Sequence, residues 1–598
     1  MAPVLGKSAW SATAKKAAKR KGGGSVNRNK ANPKAVLSPQ DIAKRKQLRA
    51  ARNLFGRLGF VRVKSDGKTI KFDGRTGELD DIYVSENIML LVEYTVGKET
   101  AAHVSKKSIL YSKIRGAPTA WIGYAVTQYA DFQALFDQSG YLESDYRVAV
   151  CYISTEGVSD EVSEAFDYIN FLDGTTFRYF DALAKAIHRT ARFEFFKYLG
   201  LRFTEIGDQV KKTSTARTGF EGHVLPETFS SFPKDFKIVS FYADPATLLK
   251  MSYVFRRDSW RDEEAMYQRV LQKGRMNQMR KYLTSEKRVF VNNIIVTLPD
   301  DTVLNEIGGS GKNIDPKSIS GVVAANITVP SRSNTIGIVD GQHRVFCYHE
   351  GNDKLEPQIR AIRDRQNLLV TGIIFPPGFS DLQKRRFEAK LFLEINDKQK
   401  RTGSELKQSI ELILNPFSTI SIAKSVIQRL NSSGALKGML QTNYFDSPGL
   451  LKTTSIVSYG LRPLLKLDGS DSLFSAWTDK EKMKMVTMQA GGQVEGADRI
   501  LKDYVDFCVE SINALLNAAK KCDTSLWRLP ENKKEKKLSP TVVNGFIVCL
   551  RQLVRHGKLG SSSSYEAKLS GLPTFKFDKY KSSAWKALGD DLFSTYFK

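Results

Sequence analysis

The sequence predicts a multidomain protein that combines α/β and α+β units with a mostly helical C-terminal domain. The chain has 598 residues, which exceeds what one hydrophobic core usually serves. Helices and short strand-like runs alternate up to about residue 200, a second series of strands follows, and helical spacing dominates from about residue 405. We therefore expect a basic disordered arm and three folded units, at residues 1–37, 38–210, 228–405 and 406–598.

The composition is strongly basic. Lys and Arg number 91 against 64 Asp and Glu, a formal net charge of +27, which favours a polyanionic partner such as DNA. Between residues 1 and 34 there are nine Lys or Arg and no acidic residue. We expect this arm to gain affinity by neutralising phosphates, without reading base sequence.

Other patterns exclude whole classes of protein. No run of 18 apolar residues occurs, so no membrane span is expected, and no apolar core follows the basic residues as in a signal peptide. The five cysteines are scattered and form no CxxC pair, which predicts a reducing compartment and no structural zinc. We expect a cytoplasmic, nucleoid-associated protein.

The first unit opens with a helix signal. Ser38 suits the N-cap and Pro39 the first helical position, so the helix is predicted to run to about Leu58. Helical spacing recurs at residues 105–114 and 181–200. Strands of a mixed sheet are predicted at residues 69–72, 81–84, 88–96, 121–126 and 147–153.

The second unit follows a polar linker at residues 211–219. It is predicted to contain a helix over 263–282. Its strands are expected at residues 289–298, 335–339, 368–374 and 391–395.

Acidic residues fall at the ends of two adjacent predicted strands. Asp80 and Asp81 begin one strand and Glu93 lies near the end of the next, so pairing the strands would bring Asp80 or Asp81 near Glu93. Converging carboxylates are what a hard cation such as Mg²⁺ requires. The pattern predicts an Mg²⁺ or Mn²⁺ site made of Asp80, Asp81 and Glu93.

This constellation resembles the PD-(D/E)XK nuclease family over roughly residues 40–200. The resemblance implies metal-dependent phosphodiester hydrolysis. The family has a lysine two residues after the glutamate, where this chain has Thr95. Lys98, Lys106 or Lys107 is a candidate to supply that charge from the next loop or helix, and His103 is also near. An ordinary acidic hairpin, or a fold kept only for DNA binding, remains an alternative.

A second constellation joins the predicted strand at 335–339 to a short helix. Asp340 ends the strand, Gly341 allows close backbone approach to a ligand, and a helix N-terminus offers N–H groups to an anion. Arg344 is suited to bidentate phosphate binding. The structural alternative is that Asp340 caps the helix and pairs with Arg344.

The string Asp340-Gly341-Gln342-His343-Arg344 resembles the signature of the DGQHR-domain family, which includes the DNA sulfur-modification regulator DndB and is similar to the ParB/sulfiredoxin fold. Residues 290–296 and 392–400 extend the resemblance over about 230–410. The resemblance implies a phosphate site, with a nucleoside triphosphate as candidate ligand. Its expected residues are Asp340, Gly341, Gln342, His343, Arg344, Asn396 and Lys398.

Together the two constellations predict a bacterial DNA endonuclease of phage defence or modification-linked restriction, gated by a nucleotide- or DNA-sensing central domain. Two alternatives stay open: a DNA-binding regulator that does not cut, and a central-domain nucleotidase that assists DNA base modification. The helical C-terminal domain is compatible with a homo-oligomer.

Overall fold

The computed structural model describes residues 38–65, 67–96, 100–207, 210, 217–254, 270–308, 311–331, 335–397, 404–443, 445–447, 449–529 and 538–598. The basic arm, Lys98 and Lys398 lie outside the described residues. The architecture is mixed α/β, with a five-stranded and an eight-stranded sheet. No helix within the described ranges is long and apolar enough to cross a membrane.

The first sheet has the order β1-β4-β5-β6-β7; β1, β4 and β5 run antiparallel, and β5, β6 and β7 run parallel. The strands predicted at 81–84, 88–96 and 147–153 belong to this mixed sheet, whereas the strand predicted at 69–72 forms a separate two-stranded sheet. The elements of this unit are α1 Pro39–Leu58, β1 Val61–Val63, β2 Ile70–Phe72, β3 Arg75–Gly77, β4 Asp81–Ser85, β5 Ile88–Thr95, α2 Thr100–Gly116, α3 Pro118–Gln128, α4 Ala130–Ser139, β6 Arg147–Ser154, α5 Asp160–Ala165, β7 Ile169–Leu172, α6 Gly174–Ile187 and α7 Arg192–Tyr198.

The predicted first helix is confirmed. Ser38 Oγ accepts a 3.1 Å hydrogen bond from the Asp41 backbone N–H, and Gly59 ends the helix with φ 89°. Its buried side chains, such as Leu54 and Phe55, cover one face of the sheet.

The strand predicted at 121–126 is wrong, because these residues belong to α3. Pro118 occupies the first turn, and Trp121, Ile122 and Ala125 are fully buried. That spacing places all three side chains on one helical face, whereas a short apolar run alone does not distinguish a strand from a helix.

The second sheet has the order β10-β14-β11-β15-β9-β8-β13-β12. Residues 217–219, predicted as linker, begin β8; residues 263–269 of the predicted helix lie outside the described part. The elements are β8 Arg217–Leu225, α8 Glu227–Ser230, β9 Lys237–Ala243, α9 Pro245–Met251, β10 Ser252–Tyr253, α10 Lys273–Glu286, β11 Ile294–Leu298, β12 Val303–Glu306, β13 Val323–Pro330, β14 Ile336–Asp340, α11 Gln342–Phe346, α12 Glu356–Arg363, β15 Leu368–Ile374 and α13 Asp381–Asp397.

The strand predicted at 391–395 is also wrong, since it lies within α13. Ala389 and Phe392 of this helix pack with Val339 of β14 in one apolar cluster. Ala389 and Phe392 are three residues apart, which places their side chains on the same face of α13.

Beyond residue 404 the described chain is helical apart from two short strands, in agreement with the sequence pattern, and has its own core. Its elements are α14 Ser404–Leu414, α15 Thr419–Ser432, β16 Leu440–Gln441, β17 Leu451–Lys452, α16 Thr453–Ser455, α17 Arg462–Leu465, α18 Leu473–Ala476, α19 Met483–Gln489, α20 Ala497–Cys522, α21 Pro540–Arg555, α22 Ser562–Lys568 and α23 Trp585–Tyr596.

The first two units share one continuous apolar core. The helix predicted over 181–200 is interrupted at His188, which has φ 45°, and the ring of His188 stacks on His349 at 5.8 Å. Arg192 binds the Glu350 carboxylate at 3.0 Å, and Glu350 N–H donates to Thr190 Oγ1 at 2.9 Å. The segment that follows the central motif is therefore bound directly to the first unit.

Candidate active site

Strand register decides which carboxylates meet. Asp81 of β4 lies opposite Val92 of β5, so Asp80 lies opposite Glu93. Asp80 Oδ2 accepts a 3.0 Å hydrogen bond from the Tyr94 backbone N–H. Because successive residues of a strand point to opposite faces, Asp80 and Glu93 share one face, and Asp81 belongs to the other.

Asp81 is fully buried beneath α1. Its carboxylate binds Arg52 of α1 at 3.2 Å and Arg62 of β1 at 2.5 Å, and it accepts a 2.9 Å hydrogen bond from the Tyr94 hydroxyl. Two guanidinium groups thus neutralise Asp81 within the core. The structure therefore does not bring Asp81 together with Glu93 as the predicted catalytic and metal-binding set requires, because the two side chains lie on opposite faces of the sheet.

Glu93 is the most perturbed carboxyl group at this end of the sheet. Its side chain is 1% exposed, and Oε2 accepts no hydrogen bond from the described residues. Burial, and then the Asp80 carboxylate, raise the pKa of Glu93 to about 7, against the opposing effect of Lys107. The buried hydroxyl of Tyr111 also faces this carboxyl group. Glu93 is therefore a buried carboxyl group beside a second carboxylate, and Lys107 and the Tyr111 hydroxyl favour its ionised form.

Lys107 reaches the same place from α2. Its ammonium group donates hydrogen bonds to Glu93 Oε1 at 2.9 Å and to the Glu78 backbone carbonyl at 2.8 Å. The sequence proposed Lys107 as one source of the charge missing at Thr95, and the structure brings it into contact with the predicted glutamate.

His103, one turn before Lys107, closes the site on the side of β6. Its Nδ1 lies 2.6 Å from the hydroxyl of Tyr152. Burial, and then the positive charge of Lys107, lower the pKa of His103, while Asp80 opposes that shift. This shift favours the neutral imidazole. Tyr111 and Tyr152 were not predicted from the sequence, since single tyrosines within apolar runs carry no distinctive spacing.

The residues present fit a divalent cation that keeps part of its hydration shell. Mg²⁺ in proteins is commonly bound through one or two carboxylates, with waters and phosphate oxygens completing the octahedron. Asp80 and Glu93 supply two carboxylates on one face of the sheet. Among the described residues no group of three or more His, Cys, Asp or Glu is arranged as a metal cage. A cation bound by Asp80 and Glu93 would therefore need water and substrate for its remaining ligands.

The central motif forms a tight elbow between β14 and α11. Gly341 has φ 96°, and a Cβ atom there would lie 2.7 Å from Ile294 Cδ1. Arg344 Nη2 donates to Asp340 Oδ2 at 2.7 Å and to the Asn293 carbonyl at 2.9 Å, while Arg344 Nε is buried without a hydrogen-bond partner among the described residues. The Asp340–Arg344 pair expected under the structural alternative is thus present, but the N-cap of α11 is Gly341 and not Asp340.

Of the other predicted phosphate-site residues, Gln342 and His343 belong to the elbow, and Asn396 lies in α13. Gln342 is 7% exposed and His343 is half-buried at the start of α11. Asn396 donates to the Phe392 carbonyl one turn earlier in α13. The motif residues are brought together at the end of β14, whereas the Asn396 amide is bound by its own helix.

A buried carboxyl group that the sequence did not reveal lies on the second sheet. Glu388 of α13 is fully buried, and its Oε1 accepts hydrogen bonds from the hydroxyls of Tyr253, at 2.8 Å, and Thr297. Gly337 of β14 leaves room for this group, because a Cβ there would lie 2.7 Å from Glu388 Oε1. The signal available in the sequence was a glycine inside a strand, which often marks close approach of another group.

Comparisons with protein-family models, curated proteins and solved structures gave no significant match. Both family resemblances therefore stand on the motifs quoted above. The candidate active site stands on the geometry of its residues.

Proposed function

We propose that this protein is a divalent-cation-dependent DNA endonuclease of bacterial phage defence or modification-linked restriction. The observation that carries the proposal is the convergence of Asp80, Glu93 and Lys107 at one edge of a mixed sheet. The net charge of +27 supports a polyanionic substrate.

Each of the three side chains has a distinct role in the proposal. Asp80 and Glu93 hold Mg²⁺ or Mn²⁺, which when bound would activate water and offset charge on the phosphoryl group. Lys107 keeps Glu93 oriented through the 2.9 Å hydrogen bond and adds positive charge where the phosphate becomes more negative. In this proposal Lys107 supplies the positive charge, and Thr95, at the position of the family's lysine, does not.

The proposal assigns regulation to the central elbow. A nucleotide or a DNA feature that drew Arg344 away from Asp340 would disturb α11 and the segment after it, and that segment binds Arg192 of the first unit through Glu350. The gating would be contradicted if Arg344→Ala left both cleavage and its nucleotide dependence unchanged.

A DNA-binding regulator without cleavage is the second candidate. The observation that favours it is that the Lys107 ammonium group is already engaged by Glu93 and by the Glu78 carbonyl. In that protein the same three residues would be a structural ion-pair cluster.

Cleavage of plasmid and linear duplex DNA with Mg²⁺ or Mn²⁺ separates the two. The proposal expects metal-dependent cutting by the wild-type protein and loss of cutting in Asp80→Ala and Glu93→Ala. Glu164→Gln, an exposed site on α5, is the matched control and should cut normally. DNA that is retarded but intact with every protein would support the regulator.

A further inference from the structure

The N-terminal half of α1 projects from the folded body. Every residue from position 38 to 46 is exposed, and Gln47 is the first buried residue of the helix. Ile42 illustrates this, since 55% of its surface is exposed. Packing of an apolar face supplies most helical stability in proteins, and these turns lack it. They are therefore placed to contact something other than the core.

The projecting turns are strongly basic. Between residues 38 and 60 the chain has six Lys or Arg against one acidic residue, Asp41. Arg52 and Arg57 are engaged by Asp81 and Asp181. The other four are exposed and form no ion pair with the described residues; they are Lys44, Arg45, Lys46 and Arg49.

This basic surface borders the candidate active site. Gln47 of α1, one turn after Lys44, donates hydrogen bonds to the backbone carbonyls of Thr95, at 2.9 Å, and Ile153, at 3.2 Å, at the ends of β5 and β6. Lys106 of α2 is the neighbour of Lys107, which binds Glu93. The two helices therefore bring positive charge to the region that contains the carboxylate pair. Lys106 is exposed.

We infer that Lys44, Arg45, Lys46 and Arg49 of α1, with Lys106 of α2, bind the backbone of duplex DNA beside the Asp80–Glu93 site. The charge distribution alone supports DNA binding at this surface. That the bound DNA reaches a catalytic site rests on the proposed function. Lys and Arg contacts to phosphates supply affinity without base specificity.

A duplex fits this surface better than a single strand does. Proteins that bind single strands stack bases on exposed aromatic rings. In the described part of residues 38–207 the large apolar side chains that are exposed are all aliphatic: Ile42, Val61, Ile109 and Leu142. A basic surface without exposed aromatic side chains is suited to duplex DNA, which presents phosphates on both strands.

The test measures binding of a short labelled duplex by the full-length protein in metal-free buffer, where cutting does not interfere. The variant carries Lys44→Gln, Arg45→Gln, Lys46→Gln and Arg49→Gln, and glutamine has nearly the same helix propensity as the residues it replaces. Each lost phosphate contact lowers the slope of log affinity against log salt by about 0.9, so four predict a decrease of about three to four units. We expect affinity at low salt to fall by about 100-fold or more.

The control removes the same charge elsewhere, with Lys502, Lys568, Lys576 and Lys586 each changed to Gln; all four are exposed on the C-terminal helices or the segments joining them. Equal losses in both variants, or no loss in the α1 variant, would overturn the inference. Tighter binding of the corresponding single strand or of duplex RNA would overturn the choice of partner. If the α1 variant alone loses binding while the wild type never cuts with Mg²⁺, the surface stands and the endonuclease proposal fails.

Discussion

Lys107 of α2 donates a 2.9 Å hydrogen bond to the buried carboxylate of Glu93 on β5. The ammonium group thus reaches the glutamate from a neighbouring helix, whereas the nuclease pattern places it two residues along the same strand, at Thr95. This relationship gives the acidic pair of Asp80 and Glu93 an adjacent cation.

Replacing Lys107 should weaken the site in a specific way. In Lys107→Met, Glu93 loses the positive charge that opposes its raised pKa, so its carboxyl group becomes harder to ionise and to share with a cation. We expect single-turnover cleavage to fall by about 100-fold, with partial recovery in Lys107→Arg. Lys113→Met, on the same helix and paired at the surface with Asp73 at 2.8 Å, should leave the rate unchanged. Equal rates for all these proteins would remove Lys107 from the mechanism.

When no metal is present, the titration of Glu93 makes the free energy of unfolding depend on pH. Its pKa of about 7 in the folded protein exceeds the ordinary 4.5, so the folded state binds more protons between these values. The contribution of the neutral carboxyl group is present below about pH 4.5 and is lost as the pH rises through 7. We expect Glu93→Gln to be more stable than the wild type above pH 7 by about 3 kcal/mol, with the difference approaching zero near pH 4.5.

Denaturant unfolding of both proteins in EDTA across this pH range measures that difference. Glu164→Gln, which is exposed in the same unit, serves as the control and should track the wild type. A constant difference between Glu93→Gln and the wild type at all pH values would show that Glu93 does not titrate in this range.

Asp81→Asn is expected to act on stability. The substitution leaves Arg52 and Arg62 without their shared carboxylate in a buried position. Loss of one partner of a buried pair is costly, and the partial exposure of both arginines reduces the cost to about 2–3 kcal/mol of unfolding free energy. Asp80→Asn, whose side chain is not paired with an arginine in the described part, should change stability little. If Asp81→Asn had the stability of the wild type but no longer cleaved DNA, Asp81 would belong to the active site after all.

Gly341→Ala tests the central elbow by separating backbone strain from lack of space. Gly341 has φ 96° and a Cβ there would meet Ile294, whereas Gly378 has φ 75° with nothing near its Cβ position. Strain alone should cost about 1 kcal/mol in Gly378→Ala. We expect Gly341→Ala to lose at least about 1 kcal/mol more, measured by unfolding. Equal losses would mean that the elbow tolerates a side chain.

The strands β4 and β5 of the first sheet could be predicted because they are runs rich in β-branched and aromatic residues, joined by a turn at Ser85–Asn87. The capping residues Ser38 and Pro39 predicted the start of α1 for the same local reason. Local sequence does not distinguish strand from helix in short apolar runs. Residues 121–126 and 391–395 were predicted as strands but are helical, because the burial of one helical face depends on tertiary packing.

The candidate site was predictable only in part. Asp80 and Asp81 are adjacent, and a shift of one residue moves a side chain to the other face of the sheet, so the sequence could not choose between them. Their separation became clear from the register with Val92 and Glu93. Glu388, Tyr253 and Thr297 meet from distant parts of the chain, and such contacts leave no spacing to recognise.

Calorimetric titration with Mn²⁺ tests most directly whether Asp80 and Glu93 form one divalent-cation site. The wild type, Asp80→Asn, Glu93→Gln and the control Glu164→Gln would be compared at pH 8, where Glu93 is ionised. We predict one Mn²⁺ per chain for the wild type and control, and binding weaker by about tenfold or more in the two site variants. Equal affinity in all four proteins would contradict the account.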